Sequence, residues 1–287
     1  MEIFLQHVVN GLSIGAIYAL VAVGITLIFG VSRLVNFAHG QFLVLGSFIT
    51  FALVETGASF WLALPLASVS VGLAGVATDR GLLRWTIDQP INGFIVSLGL
   101  VIVLQGLFVE VWSADQYKIP SPVSGVVSIG DVRIPVDRIV TVAFGAVGVG
   151  VLYLILKRTD AGRSMRATAE NRDAAALVGV GVGRAISTSF FLGAFLAGMG
   201  GAFLGTLFPF SAFSGSTYLV KGLAVALIGG LGSIEGAVLV GLGLGLLETL
   251  GSAYGIGGQW RDGYAFMAMV ILLIWRPSGL FGRTREY

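Results

Sequence analysis

The sequence predicts an all-α polytopic membrane protein: one domain, residues 1–287, built as a bundle of eight or nine transmembrane helices, some C-terminal ones short or broken, with a cytoplasmic helical loop. Three observations predict it. The chain is 56% hydrophobic and only 11% charged, where a soluble domain carries roughly 25% charged residues. Its mean hydropathy is +0.93. From Ile3 to Ser32 no Lys, Arg, Asp or Glu occurs, a stretch longer than the roughly 20 residues that cross a bilayer core.

Uncharged runs place the helices in order near 8–30, 38–54, 60–78, 92–112, 139–156 and 186–208. Asn36 can cap the second of these, with His39 in its first turn near the cytoplasmic face, which makes the two residues candidates for a structural or gating role. Between the fourth and fifth runs, 113–137 contains Val126-Val127-Ser128-Ile129, a Gly130-Asp131 turn and Val132-Arg133-Ile134-Pro135. This pattern is that of a small extracytoplasmic hairpin. Asp115, Lys118, Asp131, Arg133, Asp137 and Arg138 give it a mixed-charge rim, which suits either a docking ridge or a simple lid.

Residues 157–184 form the long connection before the sixth run. Asp160 can cap a first short helix, and Asn171 or Asp173 a second, Ala-rich one that ends at Gly179. The expected result is a helical elbow on which Met165, Ala169, Ala174, Ala175 and Leu177 stay apolar among spaced charges. Such a surface fits a knob seated in a partner's groove, and it equally fits a solvated loop that collects Arg.

Beyond residue 208 the signal weakens. Lys221, Glu235, Glu248, Arg261 and Asp262 divide the chain into runs near 217–231, 236–252 and 263–275. Gly229-Gly230-Leu231-Gly232-Ser233 is a plausible interruption, tolerable only where protein or a water-filled cavity surrounds it. Lys221 opens an apolar run and is expected to snorkel to the interface. Glu248 is an intramembrane carboxylate, hence a candidate for a polar contact between helices or with a transport pathway. Glu110, near Trp112, is expected among the outer headgroups.

Lys and Arg set the orientation. Lys157, Arg158, Arg163, Arg166, Arg172 and Arg184 cluster in one loop, and Arg276, Arg283 and Arg285 in the tail. Both regions should be cytoplasmic, which gives nine spans with the N-terminus outside, or eight if one C-terminal run returns to the face it entered. The first Lys or Arg is Arg33, so the positive region of a cleavable secretory signal is missing.

Glycine is abundant, 43 residues, about twice the usual share of roughly 7%. Four-residue spacing in Gly11/Gly15/Ala19, Gly193/Ala197/Gly201/Gly205 and Ala237/Gly241/Gly245/Thr249 predicts close helix–helix packing, mostly within the chain.

Several chemistries are excluded. Cysteine is absent, which removes disulfides and thiolate chemistry. The two His residues stand alone, without further ligands at recognisable spacing, so no metal site is expected. No H-E-x-x-H or G-x-S-x-G occurs, and no catalytic residue is assigned. Gly precedes none of Lys118, Lys157 and Lys221, so there is no P-loop and no cofactor site of that kind. A net charge of +2 offers no nucleic-acid footprint.

The segment Gly162-Arg163-Ser164-Met165-Arg166-Ala167, then Ala169-Glu170-Asn171 and Ala174-Ala175-x-x-x-Gly179-Val180, resembles the coupling loop of permeases from branched-chain amino acid ABC importers. Asn36-Phe37-Ala38-His39-Gly40, Lys221-Gly222-Leu223-Ala224 through Gly229-Gly230-Leu231-Gly232-Ser233 to Gly236-Ala237, and Trp275-Arg276-Pro277-Ser278-Gly279-Leu280-Phe281-Gly282 agree with it in order. The likeness extends from Asn10-Gly11 to the tail and is greatest to the first permease type.

The resemblance implies an importer in the bacterial cytoplasmic (inner) membrane. This subunit would join a second related permease, two cytoplasmic ATPase subunits that hold ATP and Mg, and an extracytoplasmic solute-binding protein. It implies an ATPase-coupling role for Gly162, Arg166, Ala169, Glu170, Asn171, Ala174, Ala175, Leu177 and Gly179. Arg166 and Glu170 would be docking charges, Ala174, Ala175 and Leu177 the knob, and Gly179 the stop that sets the elbow. Urea, short-amide and other amino acid permeases share these motifs. A stand-alone ion-coupled transporter or channel is the alternative of another class; it would need midplane ionisable residues, whereas the charges here are expected mostly in loops.

Overall fold

The computed structural model describes residues 2–129, 132–255, 257–276 and 279–282. Its helices in chain order are α1 (Glu2–Ser32), α2 (His39–Glu55), α3 (Phe60–Gly81), α4 (Pro90–Trp112), α5 (Val136–Arg158), α6 (Asp160–Glu170), α7 (Arg172–Leu177), α8 (Val182–Leu207), α9 (Ser214–Gly229), α10 (Ile234–Tyr254) and α11 (Arg261–Trp275). Strands β1 (Val126–Ile129) and β2 (Val132–Pro135) pair antiparallel, Val126 opposite Pro135. The chain is an all-α polytopic membrane protein. Among the described residues six helices, α1, α3, α4, α5, α8 and α10, are long and apolar enough to cross a bilayer. Helices α2 and α9 are apolar but shorter, and α9 and α11 have 16 and 15 residues.

Helices α1 and α8 form the centre. Helix α1 packs on α10, α8, α5 and α9, and α8 on α3, α2 and α1. Helix α4 lies outside, touching α2, and exposes Ile91, Ile95, Ile102, Val103 and Val111. The bundle has two distinct ends. At one, Phe48 stacks on Trp112 at 4.7 Å and packs on Phe210 at 5.1 Å, an arrangement that joins α2, α4 and the segment after α8. Here Tyr117 and Phe210 exchange backbone hydrogen bonds of 2.8 and 2.9 Å, and Ile119 N–H donates to Gly205 O at 2.8 Å. The strap before the hairpin is thus stitched to the end of α8. At the other end lie the elbow α6–α7 and the α9–α10 turn.

That turn carries two motifs from the sequence. Gly230 and Gly232 adopt φ of +95° and +94°, a region open to glycine at little cost. Ser233 Oγ accepts from Gly236 N–H at 3.1 Å and caps α10. The tail returns to the same place: Leu280 N–H donates to Ile228 O at 2.7 Å, and Phe281 N–H to Gly229 O at 3.2 Å.

The small-residue stripes meet inside the chain. A Cβ at Gly15 would lie 2.8 Å from Leu242 Cα, and one at Gly241 would lie 2.8 Å from Ala19 Cα, so α1 and α10 touch backbone to backbone. On α8, Gly193 faces Gly24 and Gly201 faces Leu43. Gly15→Val is therefore expected to cost about 1–3 kcal/mol by overpacking, read as a lower thermal midpoint of the solubilised protein. Gly243→Val, at an exposed position with no atom within 4 Å of the added carbon, should leave the midpoint in place; equal shifts in both variants would dissociate the stripe from stability.

Candidate functional site

The elbow is built by two caps and a stop. Thr159, not Asp160, caps α6: its Oγ1 accepts from Gly162 N–H at 3.1 Å, and Asp160 becomes the acidic first residue of the helix. Asn171 caps α7, its Oδ1 accepting from Ala174 N–H at 3.0 Å. Helix α7 closes on Gly179 at φ +84°, with Val180 N–H donating to Ala175 O at 2.9 Å and Gly179 N–H to Ala176 O at 3.0 Å. This is the Schellman arrangement, and it needs a residue tolerant of left-handed φ at that point.

Both helices are amphipathic. Gly162, Met165 and Thr168 are buried against the bundle, Ala169 is half-buried, and Arg166 and Glu170 are exposed. Ala175 also turns inward, contrary to its expected place on the outer knob. The outward apolar surface is instead Ala174, Leu177 and Val178, the last two 89% and 79% exposed.

The elbow is clipped to the end of α1. Arg33 Nη2 donates to Ala169 O at 2.8 Å. Arg172 Nη2 donates to the carbonyl oxygens of Ser32 and, at 3.4 Å, Val31. A guanidinium here satisfies carbonyls that a helix C-terminus leaves unpaired and complements its dipole. Partial burial, and then the neighbouring Arg33, lower the Arg172 pKa, yet a guanidinium remains charged. On the other flank, buried Asp79 of α3 accepts from Ser187 Oγ at 2.6 Å and pairs with Arg84 at 3.1 Å. A cleft of about 310 Å³ separates this flank from α7, lined in part by Arg84, Asp88, Arg172 and Asp173.

Asn36 and His39 lie near the same end. Asn36 Oδ1 accepts from Ala38 N–H at 3.0 Å, so the side chain forms a turn ahead of α2 rather than capping it; Ala38 takes the cap position. His39 is fully buried, its ring against the bare backbone of Gly24 on α1 and 6.0 Å from the Phe42 ring. Both residues thus sit at the α1–α2 junction beside the elbow clip.

At the hairpin end, Asp115, Lys118 and Arg133 are exposed, with Asp115 accepting from Ser113 Oγ at 2.7 Å. Asp131 lies outside the described residues.

Glu248 leads to the feature that sequence reasoning missed. It is fully buried in α10, and Tyr18 of α1 donates to its Oε2 at 2.8 Å. Lys221 of α9 lies 3.0 Å from its Oε1 and also reaches Tyr18 Oη at 2.9 Å and Asp262 Oδ1 at 2.8 Å. Arg261 Nε lies 3.2 Å from Glu248 Oε2. Lys221 does not snorkel; it is 5% exposed. Two cations and two anions from α9, α10 and α11 therefore converge with a phenol from α1, and charges are not confined to loops. A cavity of about 330 Å³ opens beside them. The one local signal available was that intramembrane charges are functional by default.

The family model described as branched-chain amino acid transport system / permease component matches residues 7–275. The chain belongs to that family. It is 28% identical to the high-affinity branched-chain amino acid transport system permease protein LivH of Escherichia coli K12, with 98% of this chain and 96% of the relative covered. It is 30% identical, at the same coverage, to BraD of Pseudomonas aeruginosa, a permease protein described in the same words. LivM of E. coli K12 is 26% identical over 94% of this chain and 68% of its own length. No solved structure matches the chain. As a member of this permease family, the chain is a transport subunit rather than an enzyme, embedded as a multi-pass membrane protein.

Proposed function

We propose that this chain is one of two related permease subunits of an ATP-binding-cassette importer for branched-chain amino acids in the bacterial inner membrane. Two cytoplasmic ATPases bind ATP and Mg²⁺ and hydrolyse the nucleotide, and an extracytoplasmic binding protein delivers the solute. The N-terminus lies outside and the C-terminus in the cytoplasm, so the elbow faces the ATPases and the exposed Asp115, Lys118 and Arg133 at the hairpin end face the binding protein.

One observation carries the reading: a short helix with Leu177 and Val178 exposed at its tip, braced through Arg33 and Arg172 to the central helix α1. An apolar tip on a stiff mount suits a partner's groove, and the clip gives a partner's movement a direct hold on the helix that lines up with α8 and α10. Gly162 serves the same mount, because at that position α6 runs against the carbonyls of Ile155 and Leu156. Arg166, Ala169, Glu170, Asn171, Ala174, Ala175 and Gly179 complete the coupling surface or its scaffold, and Asn36 and His39 lie where α1 and α2 must shift together.

The test is reconstitution. In proteoliposomes, the chain with its co-expressed permease and ATPase partners and the binding protein should accumulate radiolabelled leucine only with internal ATP-Mg²⁺. Alone it should accumulate none. Uphill uptake by the lone chain would assign the buried charges to an ion-coupled transporter and end the importer reading.

A further inference from the structure

We propose that the cavity beside Lys221 is a binding site for the zwitterionic head group of an α-amino acid, Lys221 and Arg261 receiving the carboxylate and Asp262 the ammonium. The inference rests on reading the chain as an amino acid permease, and it assigns solute-contacting residues within that reading.

The charges divide into a sealed half and an open half. Glu248 and Tyr18 are buried, and Tyr18, Lys221 and Arg261 all lie within 3.2 Å of Glu248 carboxylate oxygens. Asp262, by contrast, has a side chain 63% exposed and that of Arg261 is 36% exposed. The Lys221–Asp262 contact of 2.8 Å is therefore the one that water screens and a solute can replace. The cavity, about 330 Å³, is lined by Tyr18, Tyr218, Lys221, Gln259, Arg261 and Asp262 among others. Pockets for small solutes begin near this size, roughly 300 Å³.

The sign pattern selects the ligand. A simple anion would meet Asp262 and a simple cation would meet Arg261, so each is attracted and repelled at once. A neutral amide would leave every charge to its existing partner. A zwitterion inserted between Lys221 and Asp262 replaces one ion pair with two and keeps the site neutral. Glu248 stays in place throughout, holding Lys221 and Arg261 on the same side of the cavity. Stability alone gives little reason to keep the buried Lys221–Glu248 pair, since a buried ion pair is often no better than apolar packing of the same volume.

Equilibrium binding of radiolabelled L-leucine to the assembled permease–ATPase complex, without the binding protein, tests the site. Saturable binding is expected, displaced by unlabelled leucine but not by 4-methylpentanoate or 3-methylbutylamine, which each carry one of the two charges. Asp262→Asn should weaken binding at least tenfold and Asp262→Glu should restore most of it, in complexes of normal assembly by size exclusion. Gln259→Ala, at an exposed position on the rim, should weaken it by a smaller factor. Wild-type leucine binding in Asp262→Asn, or displacement by either single-charge analogue as well as by leucine, overturns the proposal. So does absence of saturable binding in a complex that still performs ATP-driven uptake. Failure of the ATPases to assemble with the chain would instead remove the importer reading itself.

Discussion

Leu177→Asp is expected to detach the ATPase subunits while leaving the membrane bundle folded. Leu177 is 89% exposed and touches little of its own chain, so replacing it leaves no cavity in the bundle. In the assembled importer, an apolar tip in a groove is the kind of central anchor whose loss costs about 2 kcal/mol or more. A buried unpaired carboxylate adds to that cost. Two kcal/mol corresponds to roughly a thirtyfold weaker association. The Kd of the ATPases for the tagged permease should rise by at least that factor, and ATP-driven uptake should fall with the loss of complex, while thermal unfolding of the isolated chain stays unchanged. Gly179→Val makes a contrasting case, because φ +84° strains any β-branched residue. It should tilt α7, leaving some ATPase attached but lowering uptake per ATP hydrolysed. Normal attachment and uptake in Leu177→Asp would move the ATPase interface away from α7.

The helices were legible because lipid leaves the backbone no alternative: an uncharged run of sufficient length must satisfy its own hydrogen bonds. The runs near 38–54 and 236–252 became His39–Glu55 and Ile234–Tyr254. The elbow was legible for a different reason, since capping residues and a terminal glycine act within a few positions. Its error was equally local: Thr159 and Asp160 are both competent caps, and the backbone chose the earlier one. The fate of Lys221 was not legible. An apolar run starting at 217 sets it near a helix end, from which a long side chain reaches the interface. In fact α9 begins at Ser214, so Lys221 stands two turns inside, and its partners Tyr18, Glu248 and Asp262 come from three other helices. Nothing local in the sequence couples residue 18 to residue 221. The clip of Arg172 on the end of α1 is hidden for the same reason, although both positions were visible as loop charge.

Glu248→Leu is expected to be the most damaging single change in the bundle. It removes the anion that Lys221, Arg261 and Tyr18 share, and it turns a neutral cluster into one with a surplus positive charge. Breaking a buried pair from one side costs about 3–5 kcal/mol, because the abandoned charge stays dehydrated. Asp262 cannot absorb the loss: its own side chain is 63% exposed, and it already holds Lys221. Lys221→Met should be damaging for the mirrored reason, stranding Glu248 with Arg261 as its remaining cation. The double variant, Lys221→Met with Glu248→Leu, removes one charge of each sign and leaves Arg261 and Asp262 to balance each other. It should recover most of the thermal midpoint, giving a coupling energy of up to about 3 kcal/mol in the double-mutant cycle. Transport is predicted not to return with stability, since the recovered bundle keeps only Arg261 of the two cations assigned to the solute carboxylate, and Arg261 is then engaged in balancing Asp262. Additive losses in the cycle would mean that the two side chains do not sense each other. A stable double variant with full uptake would mean that the cluster serves only to join α9, α10 and α11.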